Sequence, residues 1–190
     1  MTTKYIFITG GVISSLGKGI TAASIAKLLQ AKGYKVTNVK CEMYVNIDAG
    51  TIRPTEHGEV FVTTDGVETD QDIGSYERFL EEDLSSSNFL TTGQIYQAVI
   101  SRERNLEYDG EDVEVVPHVP EEIIRRIKAA AKKTKAEFVI VELGGTVGEY
   151  QGVLFLEANR MMKLKEPKNI CHIHVSYLPI PSTVGEMKTK

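Results

Sequence analysis

Three observations predict an α/β fold built on a mainly parallel sheet. A short apolar strand, Tyr5-Ile6-Phe7-Ile8-Thr9, runs into Gly10-Gly11-Val12-Ile13-Ser14-Ser15-Leu16-Gly17-Lys18-Gly19-Ile20-Thr21 and then a helical stripe. Phe138-Val139-Ile140-Val141 carries no polar interruption, as a strand covered on both faces requires. Strand-like and helix-like patterns alternate along the rest of the chain.

The first helix reads from Ala22, Ala23, Ile25, Ala26, Leu28 and Leu29, and Gly33 is a natural residue just past its end. Lys35-Val36-Thr37-Asn38-Val39-Lys40 follows as a strand, giving a βαβ unit whose first turn is the glycine-rich loop. From Cys41 to about Pro54, turn-rich sequence including Asn46-Ile47-Asp48-Ala49-Gly50-Thr51 predicts a loop. Residues 59–63 and 67–69 flank Asp65-Gly66, a hairpin signal. A helix is expected over residues 75–83, with Tyr76, Phe79 and Leu80 on one face.

Thr91 and Gln94 have the spacing of a capping box, opening a helix that carries Ile95, Tyr96, Val99 and Ile100. Residues 111–116 alternate acidic and apolar side chains and predict a half-exposed strand ending at Pro117. Over residues 121–133, Ile123, Ile124, Ile127, Ala130 and Ala131 form one stripe, with acids first and lysines last. The buried run at 138–141, a helix near 154–164 and a strand over 170–176 complete the alternation. No internal repeat, low-complexity tract or linker interrupts it, and 190 residues suit one domain with a substantial core.

Hydrophobic residues at 42% and charged residues at 25% are ordinary globular composition. A formal charge of −4 disfavours non-specific nucleic-acid binding, which needs a basic face. No apolar run approaches a membrane span, and Tyr5 to Thr9 is too short for the apolar core of a signal peptide. Cys41 and Cys171 fit no metal or redox spacing, so two buried free thiols in a reducing cytoplasm are expected.

Strand, glycine-rich turn with a lysine, then helix is the layout of a phosphate-binding loop. Glycines let main-chain N–H groups approach phosphate oxygens, the helix N-terminus adds partial positive charge, and the lysine neutralises the outer phosphates. The spacing departs from G-x-x-x-x-G-K: the first glycine falls at Val12, with Gly11 one residue early, and Gly19 stands where Ser or Thr belongs. A variant nucleotide-triphosphate site is favoured over a plain glycine-rich turn.

Ligands of such sheets sit outside the carboxyl ends of the strands, where Lys40, Glu142 and the segment after Ser176 also fall. Glu142 precedes Leu143-Gly144-Gly145-Thr146-Val147-Gly148 and suits a Mg²⁺ ligand in phosphoryl transfer, the other reading being a capping or loop acid. Glu68-Thr69-Asp70-Gln71-Asp72 holds a second candidate carboxylate or forms a solvated turn. Lys40 is a surface lysine if taken alone, or a phosphate clamp if paired with Lys18 across adjacent strand ends. His172 and His174 point to one side of a strand, but no third ligand lies near them, which favours ordinary sheet histidines over a metal pair. His57 and His118 carry no signal individually, and no Ser-His-Asp or Cys-His arrangement assembles.

Several segments together resemble the cytidine triphosphate (CTP) synthase family in its N-terminal amidoligase (synthetase) domain. They are residues 9–19, His57-Gly58-Glu59-Val60-Phe61-Val62, residues 68–79, Thr91-Thr92-Gly93-Gln94-Ile95-Tyr96, residues 141–148 and Gly185-Glu186-Met187-Lys188-Thr189-Lys190. The resemblance runs through essentially the whole chain in the family's order, and the family's own loop shares the extra residue and Lys-Gly. It implies a P-loop-type, dethiobiotin-synthetase-like three-layer fold with a mainly parallel sheet. It also implies a reaction in which ATP phosphorylates the 4-oxygen of UTP and ammonia displaces phosphate to give CTP.

By the same resemblance, Ser15, Leu16, Gly17, Lys18, Gly19 and Ile20 wrap the ATP phosphates, and Lys18 and Lys40 are the catalytic lysines. Asp72 and Glu142 hold Mg²⁺, with Asp72 also at the ATP site. Ser14, Lys188, Thr189 and Lys190 meet the triphosphate of UTP or CTP across a subunit boundary in a cytoplasmic homo-tetramer. No nucleic-acid or membrane partner is implied.

Three motifs depart from the family pattern. Lys-x-Asp-Pro-Tyr appears as Lys40-Cys41-Glu42-Met43-Tyr44, and Asp-Pro-Gly-Thr-Met as Asp48-Ala49-Gly50-Thr51-Ile52. Gly-Asp-x-Glu, associated with CTP inhibition, appears as Gly148-Glu149-Tyr150-Gln151, so inhibition by CTP through Glu149, Tyr150 and Gln151 is expected to be lost or altered. Family members also continue past Lys-Thr-Lys through the rest of the synthetase domain into a glutaminase domain. Residues 1–190 are therefore expected to be a truncated synthetase domain, fed by ammonia and lacking a glutaminase domain. The competing expectation is a regulatory or assembly module that binds ATP, UTP or CTP without full catalysis. A dethiobiotin-synthetase-type ligase is disfavoured by residues 68–79 and 188–190.

Overall fold

The computed structural model describes residues 2–180, 182, 183 and 185–187. A parallel sheet is its centre, with strand order β5-β2-β6-β1-β7. The strands are β1 (Lys4–Gly11), β2 (Val36–Glu42), β5 (Phe89–Thr91), β6 (Phe138–Leu143) and β7 (Ile170–Ser176). The antiparallel pair β3 (Phe61–Val62) and β4 (Glu68–Thr69) forms the hairpin that Asp65-Gly66 predicts, with shorter strands.

Helices cover both faces of the sheet. On one side, α1 (Lys18–Ala31) and α3 (Gln71–Leu80) pack Ala22, Ala23, Ala26, Ile73, Tyr76 and Leu80 with Ile8, Val36, Phe89 and Ile140. On the other lie α4 (Thr92–Arg104), α5 (Val115–Thr134) and α6 (Val153–Lys165), whose Ile95, Ile127, Phe155 and Met162 join Phe7, Val39 and Val141. Burial on both faces explains the unbroken apolar run of β6.

The strand order corrects one expectation. β1 and β2 are not neighbours, because β6 lies between them and pairs with both. Lys18 and Lys40 therefore do not lie at adjacent strand ends; the strand carrying Glu142 separates them. This insertion sets Glu142 opposite Lys40 in the β2–β6 register.

Other boundaries shift for local reasons. Cys41 and Glu42 belong to β2 rather than to a loop, and every residue of that strand is buried. At the end of the expected loop, α2 (Pro54–His57) forms with proline at its first position. α3 begins at Gln71 because the Asp70 side chain accepts from the Asp72 N–H at 2.8 Å. Thr91 caps α4 as expected by accepting from the Gln94 N–H at 3.1 Å, but the Gln94 side chain turns to the Ile47 carbonyl instead of closing the box.

Residues 111–116 form no strand. Residues 111–114 are irregular, and Val116 is extended (φ −121°, ψ 122°) at a kink within α5 without pairing to any strand; Val115 and Val116 are both about half exposed, so their alternation serves no sheet face. The thiols also divide: Cys41 is buried, whereas Cys171 on edge strand β7 is exposed. Among the described residues, no helix is long and apolar enough to cross a membrane.

Candidate active site

The carboxyl ends of β1, β2 and β6 meet the N-termini of α1 and α3 around a cleft of about 760 Å³. The loop from β1 into α1 forms one wall. Val12 (φ 73°) and Ser15 (φ 61°) adopt left-handed backbone there, as does Gly17 (φ 90°) at the helix cap. Non-glycine residues in that region carry strain that the surrounding structure must hold. α1 has no acid in its first turn, which leaves its N-terminus suited to an anion.

Gly10 accommodates Lys18. A Cβ there would lie 2.9 Å from Lys18 Cδ and 3.0 Å from its Nζ, so the lysine folds back over the end of β1. Its ammonium donates to the Gly145 carbonyl at 2.9 Å. Burial lowers the Lys18 pKa, and the charge of Lys40 lowers it further.

Gly19, the residue that breaks the loop pattern, has an equally local reason. A Cβ at this position would lie 2.5 Å from Asp72 Oδ1. The space that a serine or threonine would fill is given to a carboxylate from α3.

Lys40 is the hub of the site. Its buried ammonium donates to Asp72 and, at 3.0 Å, to Glu142 Oε1. Glu42 Oε1 lies 3.3 Å away and Asp70 Oδ2 3.7 Å away. Burial pulls the Lys40 pKa down, but Glu142, Glu42 and Asp70 outweigh it and hold the value well above the ordinary one. Glu142 is gripped at its other oxygen by the buried Tyr76 hydroxyl. Burial, then the Glu142 charge, pushes the Tyr76 pKa far up, so it stays a neutral donor.

Glu42 and Asp70 behave as a pair. Burial pushes Glu42 up to about 8 despite Lys40. Burial also raises Asp70, yet Lys40, a hydrogen bond from Glu42 and the Asp72 N–H together hold it below the usual carboxylate range. Within the pair, Glu42 is therefore the group that holds a proton more readily, and Asp70 the one that holds its charge. Gly144 makes room for Glu42, since a Cβ there would lie 2.7 Å from Oε2.

His57, uninformative in the sequence when taken individually, joins this pair. One ligand atom each from Glu42, His57 and Asp70 lie within 4.8 Å of one another, and the Tyr44 ring meets the His57 ring edge-on at 5.4 Å. Lys40 already sits beside both carboxylates of that group. By contrast, His174 Nδ1 is 2.9 Å from Thr9 Oγ1, and His172 packs edge-on to Phe7.

Ser14, Ser15, Leu16, Gly17, Lys18, Gly19, Ile20, Lys40, Asp72 and Glu142 all border the cleft. So do Glu149 and Gln151, whereas Tyr150 is 92% exposed. Gln151 Nε2 donates to Glu149 Oε2 at 2.8 Å, while Glu149 Oε1 accepts from the Thr146 N–H at 2.7 Å. Gln151 thus ties up its neighbouring acid. Lys188, Thr189 and Lys190 lie outside the described residues.

Four carboxyl groups around one ammonium leave acidic oxygen donors to spare. Asp72 is about one-third exposed and reachable from the cleft. An oxygen-only donor set of Asp72 and Glu142 fits a hard divalent cation such as Mg²⁺. Next to a glycine-rich loop that ends at a helix N-terminus free of acids, the arrangement has the chemistry to take a phosphate-bearing ligand and offset charge as a phosphoryl group moves.

A family model described as "CTP synthase N-terminus" matches residues 4–190. A CTP synthase of Thermus thermophilus is 55% identical over 188 residues, covering 98% of this chain and 34% of that protein. A CTP synthase of Pyrococcus furiosus is 54% identical over 189 residues, covering 99% of this chain and 35% of the relative. The chain thus spans about a third of the length of the curated relatives it matches. Among solved structures, the signal recognition particle receptor FtsY from Elizabethkingia anophelis, in complex with GDP, aligns over 90% of this chain and 40% of that one. That likeness, at 13% identity and a TM-score of 0.43, is too remote to bear on function.

Proposed function

The chain belongs to the CTP synthase N-terminal family, and we propose that it carries that family's amidoligase chemistry, the ATP-dependent amination of UTP to CTP. The observation that carries this reading is Lys40, held between Asp72 of α3 and Glu142 of β6 at the foot of the Lys18 loop.

The main chain of residues 15–20 and the N-terminus of α1 bind the ATP phosphates, and Lys18 neutralises their outer oxygens. The 4-oxygen of UTP attacks the γ-phosphorus, and the bond to the ADP oxygen breaks. Lys40, fixed as an ammonium by its acidic neighbours, offsets charge on the moving phosphoryl group. Ammonia then adds at C4, phosphate leaves with the C–O electron pair, and a proton is released to give CTP. Phosphorylation is needed because the 4-oxygen is otherwise a poor leaving group.

Asp72 and Glu142 would hold Mg²⁺, which when bound supplies further neutralisation of phosphate charge. The reading extends to Ser14, Lys188, Thr189 and Lys190 at the triphosphate of UTP, and to a cytoplasmic homo-tetramer. Gln151, in holding Glu149, supports weakened inhibition by CTP.

Calorimetry with ATP and UTP on the 190-residue chain and its Lys18→Ala variant tests the site. Both nucleotides bind the chain, and ATP binding weakens in the variant. Binding of neither nucleotide overturns the proposal. Binding of both without turnover in any polypeptide carrying these residues favours a regulatory or assembly module instead.

A further inference from the structure

We propose that Tyr76 is a positioning residue that fixes how Glu142 meets a cation, and so sets the preference of the site for Mg²⁺ over Ca²⁺. The inference rests on the reading of Asp72 and Glu142 as cation ligands given above.

A carboxylate has two oxygens and about four lone-pair positions. On Glu142, Oε1 accepts from Lys40 at 3.0 Å and Oε2 accepts from the Tyr76 hydroxyl. Glu142, Lys40 and Tyr76 are all buried, so the carboxylate cannot turn without leaving a polar group unpaired away from water. Each oxygen already carries a donor, and the group cannot swing to offer both oxygens to one cation.

Ions differ in what they ask of such a ligand. Ca²⁺ accepts many oxygens in loose geometry and readily takes a carboxylate through both. Mg²⁺ demands a tight octahedron and takes carboxylates one oxygen at a time. A carboxylate pinned at both ends suits the smaller ion.

The helix makes the pinning rigid. Asp72 and Tyr76 are four residues apart on α3 and share a face. Asp72 bonds to Lys40, Lys40 to Glu142, Glu142 to Tyr76, and α3 closes the circuit. One helix therefore presents one ligand and orients the other. Ile73 and Leu80 on α3, packed with Ile140 of β6, hold the helix against the sheet.

The test is Mn²⁺ electron paramagnetic resonance on the chain with the ATP analogue AMP-PNP, displacing Mn²⁺ with Mg²⁺ or Ca²⁺. Tyr76→Phe raises Ca²⁺ affinity relative to Mg²⁺ roughly tenfold, the scale of a lost ligand-orienting contact. A ratio unchanged within about twofold, with Mn²⁺ binding lost in Glu142→Gln, overturns the role of Tyr76 and leaves the ligand reading standing. Mn²⁺ binding that survives in Glu142→Gln overturns the ligand reading and this inference with it. Should Tyr76→Phe fail to fold, 3-fluorotyrosine at position 76 keeps the ring and strengthens the donor. The ratio then moves toward Mg²⁺, and a move toward Ca²⁺ or no move overturns the proposal.

Discussion

Lys40 and Glu142 face each other in register across β2 and β6, with the ammonium 3.0 Å from Oε1 in a buried setting. Neither residue is near the other in sequence. The pair exists because β6 inserts between β1 and β2, and the rest of the site is arranged about it.

Replacing Lys40 leaves Glu142, Asp72, Asp70 and Glu42 without their shared cation. Breaking a buried ion pair from one side costs about 3–5 kcal/mol. Urea unfolding of Lys40→Met is expected to show a loss of that order, and a loss below about 1 kcal/mol is incompatible with this arrangement.

Restoring the usual phosphate-loop residue is expected to harm the site. Gly19→Ser places a Cβ 2.5 Å from Asp72 Oδ1, so the Asp72 carboxylate must shift from its place beside Lys40. The Mg²⁺ concentration needed for ATP binding should rise at least tenfold by calorimetry. Unchanged or improved Mg²⁺ dependence contradicts the role given to Gly19.

The pH dependence of folding follows from Glu42. Its folded pKa of about 8 lies above that of an unfolded carboxylate, so its contribution is fully present below about pH 4 and fades as pH rises toward 8. Asp70 acts oppositely: its lowered pKa gives stability above about pH 4 that is lost on acidification. In chelator, thermal unfolding midpoints between pH 5 and 9 should fall with pH. Glu42→Gln should flatten that fall, and an equal slope in the variant counts against a protonated Glu42.

Legibility followed the range of the forces involved. The stripe of Ile123, Ile127 and Ala130 announced α5, and the unbroken run at 138–141 announced β6, because each pattern records its own burial. β5 did not announce itself: Phe89, Leu90 and Thr91 are three residues whose strand character comes from pairing with β2. Lys18, Lys40 and Glu142 stood out by their places at strand ends, but strand order is a packing outcome, so the interposition of β6 did not. The sequence places His57 in a family-like segment but does not show its neighbours; α2 brings it to Glu42 and Asp70. Cys171 is exposed against expectation because β7, at the sheet's edge among the described residues, has the same local pattern as an inner strand.

In the proposed reaction, Lys18 and Lys40 serve the ATP-dependent amination of UTP. The direct measurement is CTP formation from UTP, ATP, Mg²⁺ and ammonium chloride by the natural polypeptide that contains these residues, beside folded Lys18→Ala and Lys40→Met variants. CTP accumulates with the unaltered protein, and either substitution reduces its rate by at least about a hundredfold, the scale of one lost charge-stabilising group. No CTP above the Lys18→Ala control, or an undiminished rate in Lys40→Met, contradicts these roles for the two lysines.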